Sequence, residues 1–489
     1  MNLLKRYLTP GLLALCLSGC FPEERFWWSP TGDRALVTVK DRLHVVTADG
    51  ELGEPIPDLS FEGALVKTVS WLPDGSGFVC QRVRRIATWD EMRMLIPSGE
   101  TAAVDELVPA VIPLLEAAAK MSKGAGSWDA ISQVLPLAER HRFQTALQRT
   151  WEKDAAAVEG LLGSLPKGAE IVAAMQKKGA GYDLGEMCVF KLNAKAGEAP
   201  VSLNRSLLTP ALMPKVSPKH PYVACIKLNE EEESATLELL PLNGGPGMTV
   251  ARHVTGTFDW MPDGRTLVFM APIGGEGEKL QSIHRIMVVQ ESGALMKPAR
   301  QEPPDGSHVP VKGPDRLDAP VTLATAIMLN RPALQVLPDG RVLFASQPAT
   351  LPAVGTGADL EPRLYLIAAD GKSVLPVSTA PGDLPTNLGY FIASPDGKHI
   401  AVVESETDAL AVVETDTGKT QIISPPHARW ECETIPAWKS ATELTFAALE
   451  AGTKNPRWML WSAAGGVRCI NARWPAAATA GWLENKEPK

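Results

Sequence analysis

The sequence predicts an all-β protein, specifically a β-propeller of about seven blades, and three observations support this fold. A short turn unit built around Pro-Asp-Gly recurs along the chain, a β-rich run follows each copy, and the copies are spaced at roughly the length of one blade. Such internal periodicity is the sequence signature of a repeat architecture. The copies begin at Trp28, Trp71, Val216, Trp260, Val336, Ala393 and Trp438.

The repeated unit predicts a tight hairpin. Proline presets φ at the first corner of the turn, aspartate can accept a hydrogen bond from the backbone downstream, and glycine accepts a positive φ. The run Thr266–Phe269 behind one copy is typical of a strand, and a second hairpin follows some copies, as at Leu364–Gly371. Each unit is therefore expected to supply about four strands.

The prolines of the repeated unit give the period. They stand at positions 30, 73, 218, 262, 338 and 395, so the uninterrupted spacings are 43, 44 and 57 residues. The first two values match the roughly 40 to 50 residues of one propeller blade, and the third is somewhat longer. The unit resembles the WD-repeat-like blade of the TolB family, which implies a propeller ring but not an activity, since propellers serve as enzymes, receptors and scaffolds. The alternative fold, unrelated hairpins in a β-sandwich, does not explain the regular period.

The second blade is predicted to contain an insertion. Pro73 and Pro218 are 145 residues apart, about 100 more than one blade requires. Apolar residues recur at intervals of three and four between 98 and 182, which predicts several short helices. The run Glu186–Leu192 is expected to return to the interrupted blade. This α-helical insertion either caps the tunnel or binds a partner, or it merely decorates an outer strand connection, and the sequence favours neither.

A second long spacing separates Pro262 from Pro338. The segment Met296–Pro320 between them is crowded with Pro, Asp, Lys and Gly, which predicts an exposed loop. It contains a further Pro-Asp-Gly at Pro304–Gly306. We interpret this copy as a decoy, because the following Ser307–Pro310 ends in a proline that cannot donate to a strand ladder.

The N-terminus carries an export signal. Lys5 and Arg6 precede an apolar run that is too short to cross a bilayer. Leu17-Ser18-Gly19-Cys20 resembles the lipobox of bacterial lipoproteins at all four positions, which implies a signal peptide at 1–19, acylation of Cys20 and a mature propeller at 20–489. An ordinary secretory signal with a chance cysteine is the alternative. Inner-membrane lipoproteins usually have Asp after the cysteine, so Phe21 predicts, by analogy, the outer membrane and a protein that faces the periplasm.

The charge balance argues against nucleic acid as a partner. The full chain has 48 basic and 56 acidic residues and a formal net charge of −8. Cleavage removes Lys5 and Arg6, the only charges in the signal, so the mature chain has a formal net charge of −10. Nucleic-acid affinity depends on Lys and Arg that neutralise phosphates, and this chain lacks a basic cluster.

Cysteine usage leaves two readings open. Cys80 and Cys188 flank the insertion in one predicted blade, so a disulfide between them is conceivable in an oxidising compartment. The stronger reading is that a cysteine within a strand is a small buried apolar residue. No Cys-x-x-Cys pair is present, so neither a zinc ribbon nor a thioredoxin-like site is supported. The cysteines of the mature chain are Cys20, Cys80, Cys188, Cys225, Cys432 and Cys469.

The sequence contains no recognised catalytic motif. It lacks Gly-x-Ser-x-Gly, His-Glu-x-x-His and a phosphate-cradling loop. The acidic run at 230–233 is expected in a solvated hairpin loop rather than at a calcium site, and the histidines show no ligand spacing. Neither a metal nor another cofactor is therefore expected. The histidines considered as ligands are His141, His220, His284 and His308.

Four tryptophans share one position of the repeat. They form either an aromatic ring around the tunnel that binds sugars or peptides, or the common core between neighbouring blades, and the repeated position favours the core. Trp27, Trp458 and Trp461 are not explained by the repeat and are expected to be exposed anchors. The four repeated tryptophans are Trp28, Trp71, Trp260 and Trp438.

Together these features predict a membrane-anchored propeller lipoprotein that acts as a protein-binding or scaffold module of the bacterial cell envelope, and not as an enzyme. Its expected contacts are the membrane, through Cys20, and a protein partner in the envelope. The alternative is a propeller enzyme, a lyase or a hydrolase, with an active site at the tunnel mouth.

Overall fold

The structure of the chain is a computed structural model, which divides into two compact units. Unit 1 comprises Met1–Gln81, Cys188–Val201 and Leu212–Lys489, and unit 2 comprises Arg82–Met187 and Ser202–Ala211. Cys20 and nearly all of the predicted helical insertion lie outside the described residues. The described residues are 26–39, 42–60, 68–86, 182–194, 198–203, 211–229, 234–245, 247–273, 280–296, 317–327, 333–346, 363–377, 388–404, 410–423, 428–429, 435–450 and 456–474.

Seven sheets make up the regular structure of these residues, and the strands of each sheet follow one another in the chain. This confirms the predicted all-β, seven-bladed propeller. Blade 1 contains β1 (Phe26–Trp28), β2 (Arg34–Val39), β3 (Arg42–Thr47) and β4 (Leu52–Ser60). Blade 2 contains β5 (Val69–Trp71), β6 (Gly77–Ile86), β7 (Tyr182–Lys191) and β8 (Val201–Ser202). Blade 3 contains β9 (Ala211–Val216), β10 (Tyr222–Asn229), β11 (Ser234–Pro241) and β12 (Met248–Val254).

The other four blades follow the same plan. Blade 4 contains β13 (Phe258–Trp260), β14 (Thr266–Pro272), β15 (Leu280–Met287) and β16 (Val321–Ile327). Blade 5 contains β17 (Leu334–Val336), β18 (Val342–Ser346), β19 (Arg363–Ile367) and β20 (Val374–Pro376). Blade 6 contains β21 (Leu388–Ala393), β22 (His399–Glu404), β23 (Leu410–Glu414) and β24 (Thr420–Ile422). Blade 7 contains β26 (Ala437–Ser440), β27 (Glu443–Glu450), β28 (Pro456–Ser462) and β29 (Gly466–Cys469), and β25 (Ala428–Arg429) also pairs with β27.

The repeated unit forms the turn between the first two strands of a blade, as predicted. In blade 4 the backbone N–H of Gly264 donates to the carbonyl of Met261 at 2.9 Å, which closes the turn. Asp263 Oδ1 accepts from the backbone N–H of Arg265 at 2.8 Å and of Thr266 at 3.0 Å. Gly264 has a φ of +67°, in the left-handed region that glycine adopts most easily. The equivalent glycines have φ values of +69° at Gly75, +87° at Gly340 and +71° at Gly397.

Blade 3 connects its first two strands without aspartate or glycine. Ser217 Oγ accepts from the backbone N–H of His220 at 3.2 Å, so a hydroxyl takes the place of the backbone carbonyl that accepts from Gly264 in blade 4. The same Oγ donates to the carbonyl of Gly264 in blade 4 at 2.8 Å. Ser217 therefore bonds both to its own inter-strand connection and to the next blade.

The long spacings fall between strands. The connection from β6 to β7 interrupts blade 2, and β7 contains most of the run that was expected to return to this blade. Met296–Pro320 lies between β15 and β16, and the decoy Pro304–Gly306 is outside the described residues. In the described part of the chain, no helix has the length and hydropathy of a membrane span.

The hydrophobic core lies between the blades. Six apolar clusters each combine residues of two neighbouring blades. Between blades 1 and 2, Leu36 and Leu43 pack with Phe78 and Phe190, whose stacked rings have centroids 5.3 Å apart. Burial of apolar surface stabilises a fold by about 25 cal/mol per Å². Contact between neighbouring blades therefore contributes to the stability of the fold.

Candidate binding site in the central channel

The innermost strands of five blades surround a cavity of about 410 Å³. Its wall is formed by β1, β5, β17, β21 and the residues at the start of β26. The described lining consists of apolar and uncharged polar side chains, and none of them is ionisable. Clefts with a mostly apolar wall and a few polar groups are typical ligand sites. The cavity is therefore the candidate binding site of unit 1.

Hydrogen bonds between the innermost strands follow a rule that depends on the residue opening each repeat, here called the motif residue. At three of the four Trp motif residues the indole N–H donates to a backbone carbonyl of the previous blade, whereas Trp28 donates to the side chain of Thr445. That carbonyl belongs to the residue immediately before the previous motif residue. The three bonds are Trp71 to Trp27 at 3.1 Å, Trp260 to Lys215 at 2.8 Å, and Trp438 to Ile392 at 2.9 Å.

Where the motif residue is Val or Ala, the same two positions are joined in a different way. The backbone N–H of the motif residue then donates to a side-chain oxygen of the residue before the previous motif residue. Because three residue types serve as acceptor, no single letter recurs there in the sequence. The bonds are Val216 to Ser70 Oγ at 2.9 Å, Val336 to Asp259 Oδ2 at 2.8 Å, and Ala393 to Gln335 Oε1 at 2.8 Å.

These bonds limit what the channel wall offers to a ligand. The oxygens of Ser70 and Gln335 already accept hydrogen bonds between blades, and Ser394 Oγ donates to Asp396 Oδ1 at 2.7 Å. His399 reaches Ser394 only through its backbone N–H, at 3.0 Å, so these residues do not form a nucleophile–histidine pair. The described wall is suited to binding an apolar or neutral group rather than to moving a proton.

The four repeated tryptophans lie between blades, which confirms the reading that the repeat favoured. Each belongs to an apolar cluster shared with the previous blade, although three of them also border the cavity. The prediction for the other three is wrong. Trp27, Trp458 and Trp461 are only 8%, 4% and 5% exposed. Both faces of blades 1 and 7 pack against neighbouring blades, so an aromatic residue on either face of these blades becomes core.

Blade 7 meets blade 1 without sharing a strand, within the residues that the structure describes. Trp28 Nε1 donates to Thr445 Oγ1 at 2.9 Å, and Trp474 Nε1 donates to the carbonyl of Gly50 at 2.7 Å. Lys439 Nζ lies 5.4 Å from the Trp28 ring centroid, within the range of a cation–π contact. Side chains therefore close the ring, and sequence reasoning missed Trp474 because it follows the last strand and lies outside the repeat.

A second cluster with possible chemistry lies in blade 4, away from the cavity. Ser282 Oγ is 2.5 Å from His284 Nε2, and Thr322 Oγ1 is 3.2 Å from His284 Nδ1. Burial lowers the pKa of His284 from its usual value of 6.5, which favours a neutral imidazole. A hydroxyl, a neutral imidazole and an orienting group are the parts of an activated nucleophile. Ser282 itself is only 7% exposed.

The candidates that lie within the described residues do not assemble into a metal site. Among the described residues, no three His, Cys, Asp or Glu side chains come together as ligands. Cys80, Cys188, Cys225 and Cys469 are thiols, and all but Cys469 are buried. The remaining candidates, Cys20, Cys432, His141, His308 and the acidic run at 230–233, lie outside the described residues.

Comparisons with known proteins concern the fold and carry no argument about activity. No family model and no curated protein matches the chain. A puromycin hydrolase structure is 14% identical with a TM-score of 0.47, over 94% of this chain and 55% of that chain. The β-propeller domain of Myceliophteria thermophila Cps50 (Swd1) is 9% identical with a TM-score of 0.43, over 91% of this chain and 97% of that one. The chain thus spans about half the length of the hydrolase, and no specific family is identified.

Proposed function

We propose that this chain is a lipid-anchored binding module of the bacterial cell envelope, attached to the outer membrane through Cys20 and engaged with a protein partner. The observation that carries the proposal is the lipobox Leu17–Cys20, which ends five residues before the first strand of a seven-bladed ring. A single acyl chain binds a membrane weakly, so a stable anchor at Cys20 needs more than one chain.

The short linker supports a proposal for which end of the ring faces the membrane. Phe26 begins β1 and borders the cavity, at the end of the strand opposite the turn at Pro30. The five residues between Cys20 and Phe26 span at most about 20 Å when extended. In the proposed arrangement the channel mouth beside Phe26 faces the membrane, and the Pro-Asp-Gly turns face away from it.

The turn end offers a surface suited to a protein partner. Its turns are closed by backbone hydrogen bonds, and an ion pair joins two neighbouring blades there. Arg341 contacts Asp339 at 2.6 Å and Asp416 at 2.7 Å, so it links blades 5 and 6. A surface that is ordered before binding loses little conformational entropy when a partner docks.

Membrane fractionation tests the anchor. Replacement of Cys20 by Ala should move the chain from the membrane pellet to the soluble fraction or leave unprocessed precursor, because the thiol is the attachment point of the lipid. The control is Cys469→Ala, which removes a thiol from the propeller and should leave the chain in the pellet. A processed, membrane-bound Cys20→Ala variant would overturn the lipoprotein proposal.

Site-specific cross-linking in intact envelopes tests the partner and its face. A photo-reactive residue at Lys372, which is 83% exposed beside the Asp370 turn, should yield one reproducible adduct. Charge reversal at the neighbouring blade, Asp416→Lys, should weaken that adduct while circular dichroism shows an unchanged strand signal. If no defined adduct forms, or if reversal leaves its yield unchanged, the turn end is not the docking surface.

Hydrolysis is the second candidate function, because Ser282 and His284 are in contact. A fluorophosphonate probe labels a serine only when a base activates it. Labelling that disappears in Ser282→Ala and His284→Gln, and persists in the neighbouring-blade variant Ser394→Ala, would support a hydrolase and count against a pure binding module. An unlabelled native chain would remove this candidate.

A further inference from the structure

We propose that Cys80 and Cys188 form a disulfide when the chain folds under oxidising conditions. The expectation that such conditions occur in the cell rests on the proposed envelope location. The juxtaposition of the two thiols does not rest on it, because it comes from the pairing of β6 with β7.

Two contacts define the register of these strands. The backbone N–H of Leu192, just beyond β7, donates to the carbonyl of Ser76, just before β6, at 3.0 Å. Further along, Arg82 Nε donates to Glu186 Oε2 at 2.9 Å. Facing residues in an antiparallel pair advance in opposite directions along the two strands. Both contacts fit one register, in which Ser76 faces Leu192 and Arg82 faces Glu186.

In this register Cys80 faces Cys188. A third observation agrees with it, because a Cβ placed on Gly77 would lie 3.2 Å from the Cα of Lys191. Directly facing residues point to the same side of a sheet, and both cysteines belong to the cluster between blades 1 and 2. Both side chains are 0% exposed. Cys80 and Cys188 are the two cysteines of that cluster as the structure describes it.

The distance between facing strands permits the bond. Facing residues of an antiparallel pair have Cα atoms about 4.5 or 5.5 Å apart, and disulfides form when the Cα atoms are about 4.4 to 6.8 Å apart. In Cys225, by contrast, the facing residue is Glu238, and burial raises the pKa of the thiol above its usual range. Cys225 is therefore a matched buried cysteine that lacks a facing thiol.

The chemistry balances through thiol–disulfide exchange. The two thiols lose two protons and two electrons as the S–S bond forms, and the disulfide of an envelope oxidoreductase accepts them and becomes a dithiol. Since both thiols are inaccessible in the folded blade, exchange takes place before β6 and β7 close. The bond would enclose about 100 residues, and loops of this length lose the most chain entropy on cross-linking.

Peptide mapping without reductant tests the proposal. Trypsin places Cys80 in the peptide Thr68–Arg82 and Cys188 in Gly179–Lys191, and each peptide contains one cysteine. The full chain is denatured and refolded in a glutathione redox buffer, acid-quenched, alkylated and digested. We expect the two peptides joined and about 2 Da lighter than their sum. Cys225 should be fully alkylated.

The same mapping of chain isolated from envelopes separates this proposal from the proposed function. Linked peptides in both samples support the disulfide and an oxidising location. Linked peptides only after refolding support the disulfide and count against export. Alkylated Cys80 and Cys188 in the refolded sample overturn the disulfide.

As a check on stability, reductant should lower the Tm of the native chain and of Cys225→Ala, but not that of the double variant Cys80→Ala, Cys188→Ala.

Discussion

Trp438 donates its indole N–H to the backbone carbonyl of Ile392, 2.9 Å away, and so joins the innermost strand of blade 7 to that of blade 6. The same bond joins blades 1 and 2 and blades 3 and 4. A position that the repeat marks as packing core is therefore also a polar link. Without the indole N–H, the carbonyl of Ile392 would remain in the interface and would lose one hydrogen-bond donor.

Removing one such donor should weaken the ring. Trp260→Phe keeps an aromatic ring but leaves the carbonyl of Lys215 without the indole N–H. We expect a loss of about 1 to 3 kcal/mol in the free energy of unfolding, since a buried unpaired acceptor carries that cost. Urea unfolding measures it. Trp71→Phe, where the bond is longer at 3.1 Å and the ring is half-buried, should lose less. Equal and negligible losses would show that only packing matters here.

Asp259 should act mainly as a hydrogen-bond acceptor. Its Oδ2 accepts from the backbone N–H of Val336 at 2.8 Å, and its ion pair with Lys215 is partly exposed, so that pair contributes little. Asp259→Asn retains an oxygen at this place and should change stability by less than about 1 kcal/mol, whereas Asp259→Ala should cost about 1 to 3 kcal/mol. Chemical denaturation of both variants decides the matter. An Asn variant as unstable as Ala would identify the charge as the important feature.

Two turn glycines separate backbone strain from steric contact. Gly75 and Gly32 have nearly the same φ, +69° and +68°. A Cβ on Gly75 would meet nothing within 4 Å, but on Gly32 it would lie 2.6 Å from the carbonyl oxygen of Lys439 in blade 7. Gly75→Ala should cost roughly 1 to 2 kcal/mol from the left-handed conformation alone, and Gly32→Ala clearly more. Thermal melts compare the two variants. Equal losses in Tm would mean that the backbone at Lys439 moves away from the added Cβ without a cost in stability.

The stability of blade 4 should depend on pH through His284. Burial lowers the pKa of His284 from 6.5, so the unfolded chain binds more protons between the folded-state pKa and 6.5. Stability from this group is complete above about 6.5 and falls as the pH falls through that window. Between pH 8 and 5 the Tm should therefore change less with pH for His284→Gln than for the native chain. If Tm depends on pH equally in the two proteins, the pKa of His284 is not lowered by folding.

The repeat made the fold predictable because the turn chemistry is local. Proline, aspartate and glycine each stabilise the turn in which they lie, so the same residue types recur in the sequence wherever that turn occurs. The links between blades are not visible in this way. Ser70, Asp259 and Gln335 perform one task with three different side chains, and only their place before the motif residue unites them.

The burial of three unexplained tryptophans follows from ring closure and not from any local pattern. Trp27 packs against blade 2, whereas its neighbour Trp28 packs against blade 7. On β28, Trp458 faces blade 1 and Trp461 faces blade 6. If a sheet packs against one neighbour, a strand with two apolar faces exposes one of them to solvent. In a ring each sheet has two, and a sequence pattern within one blade does not contain this information.

Side chains join blades 1 and 7 in the described part of the chain, and no described sheet combines strands from both blades. Every blade is a continuous stretch of sequence, apart from the segment inserted in blade 2. A circularly permuted gene, with the natural ends joined by a linker and new ends placed between two blades, would therefore encode the same seven sheets. Duplication of a single gene segment would likewise add one complete sheet, which gives this architecture a simple route to rings of different size.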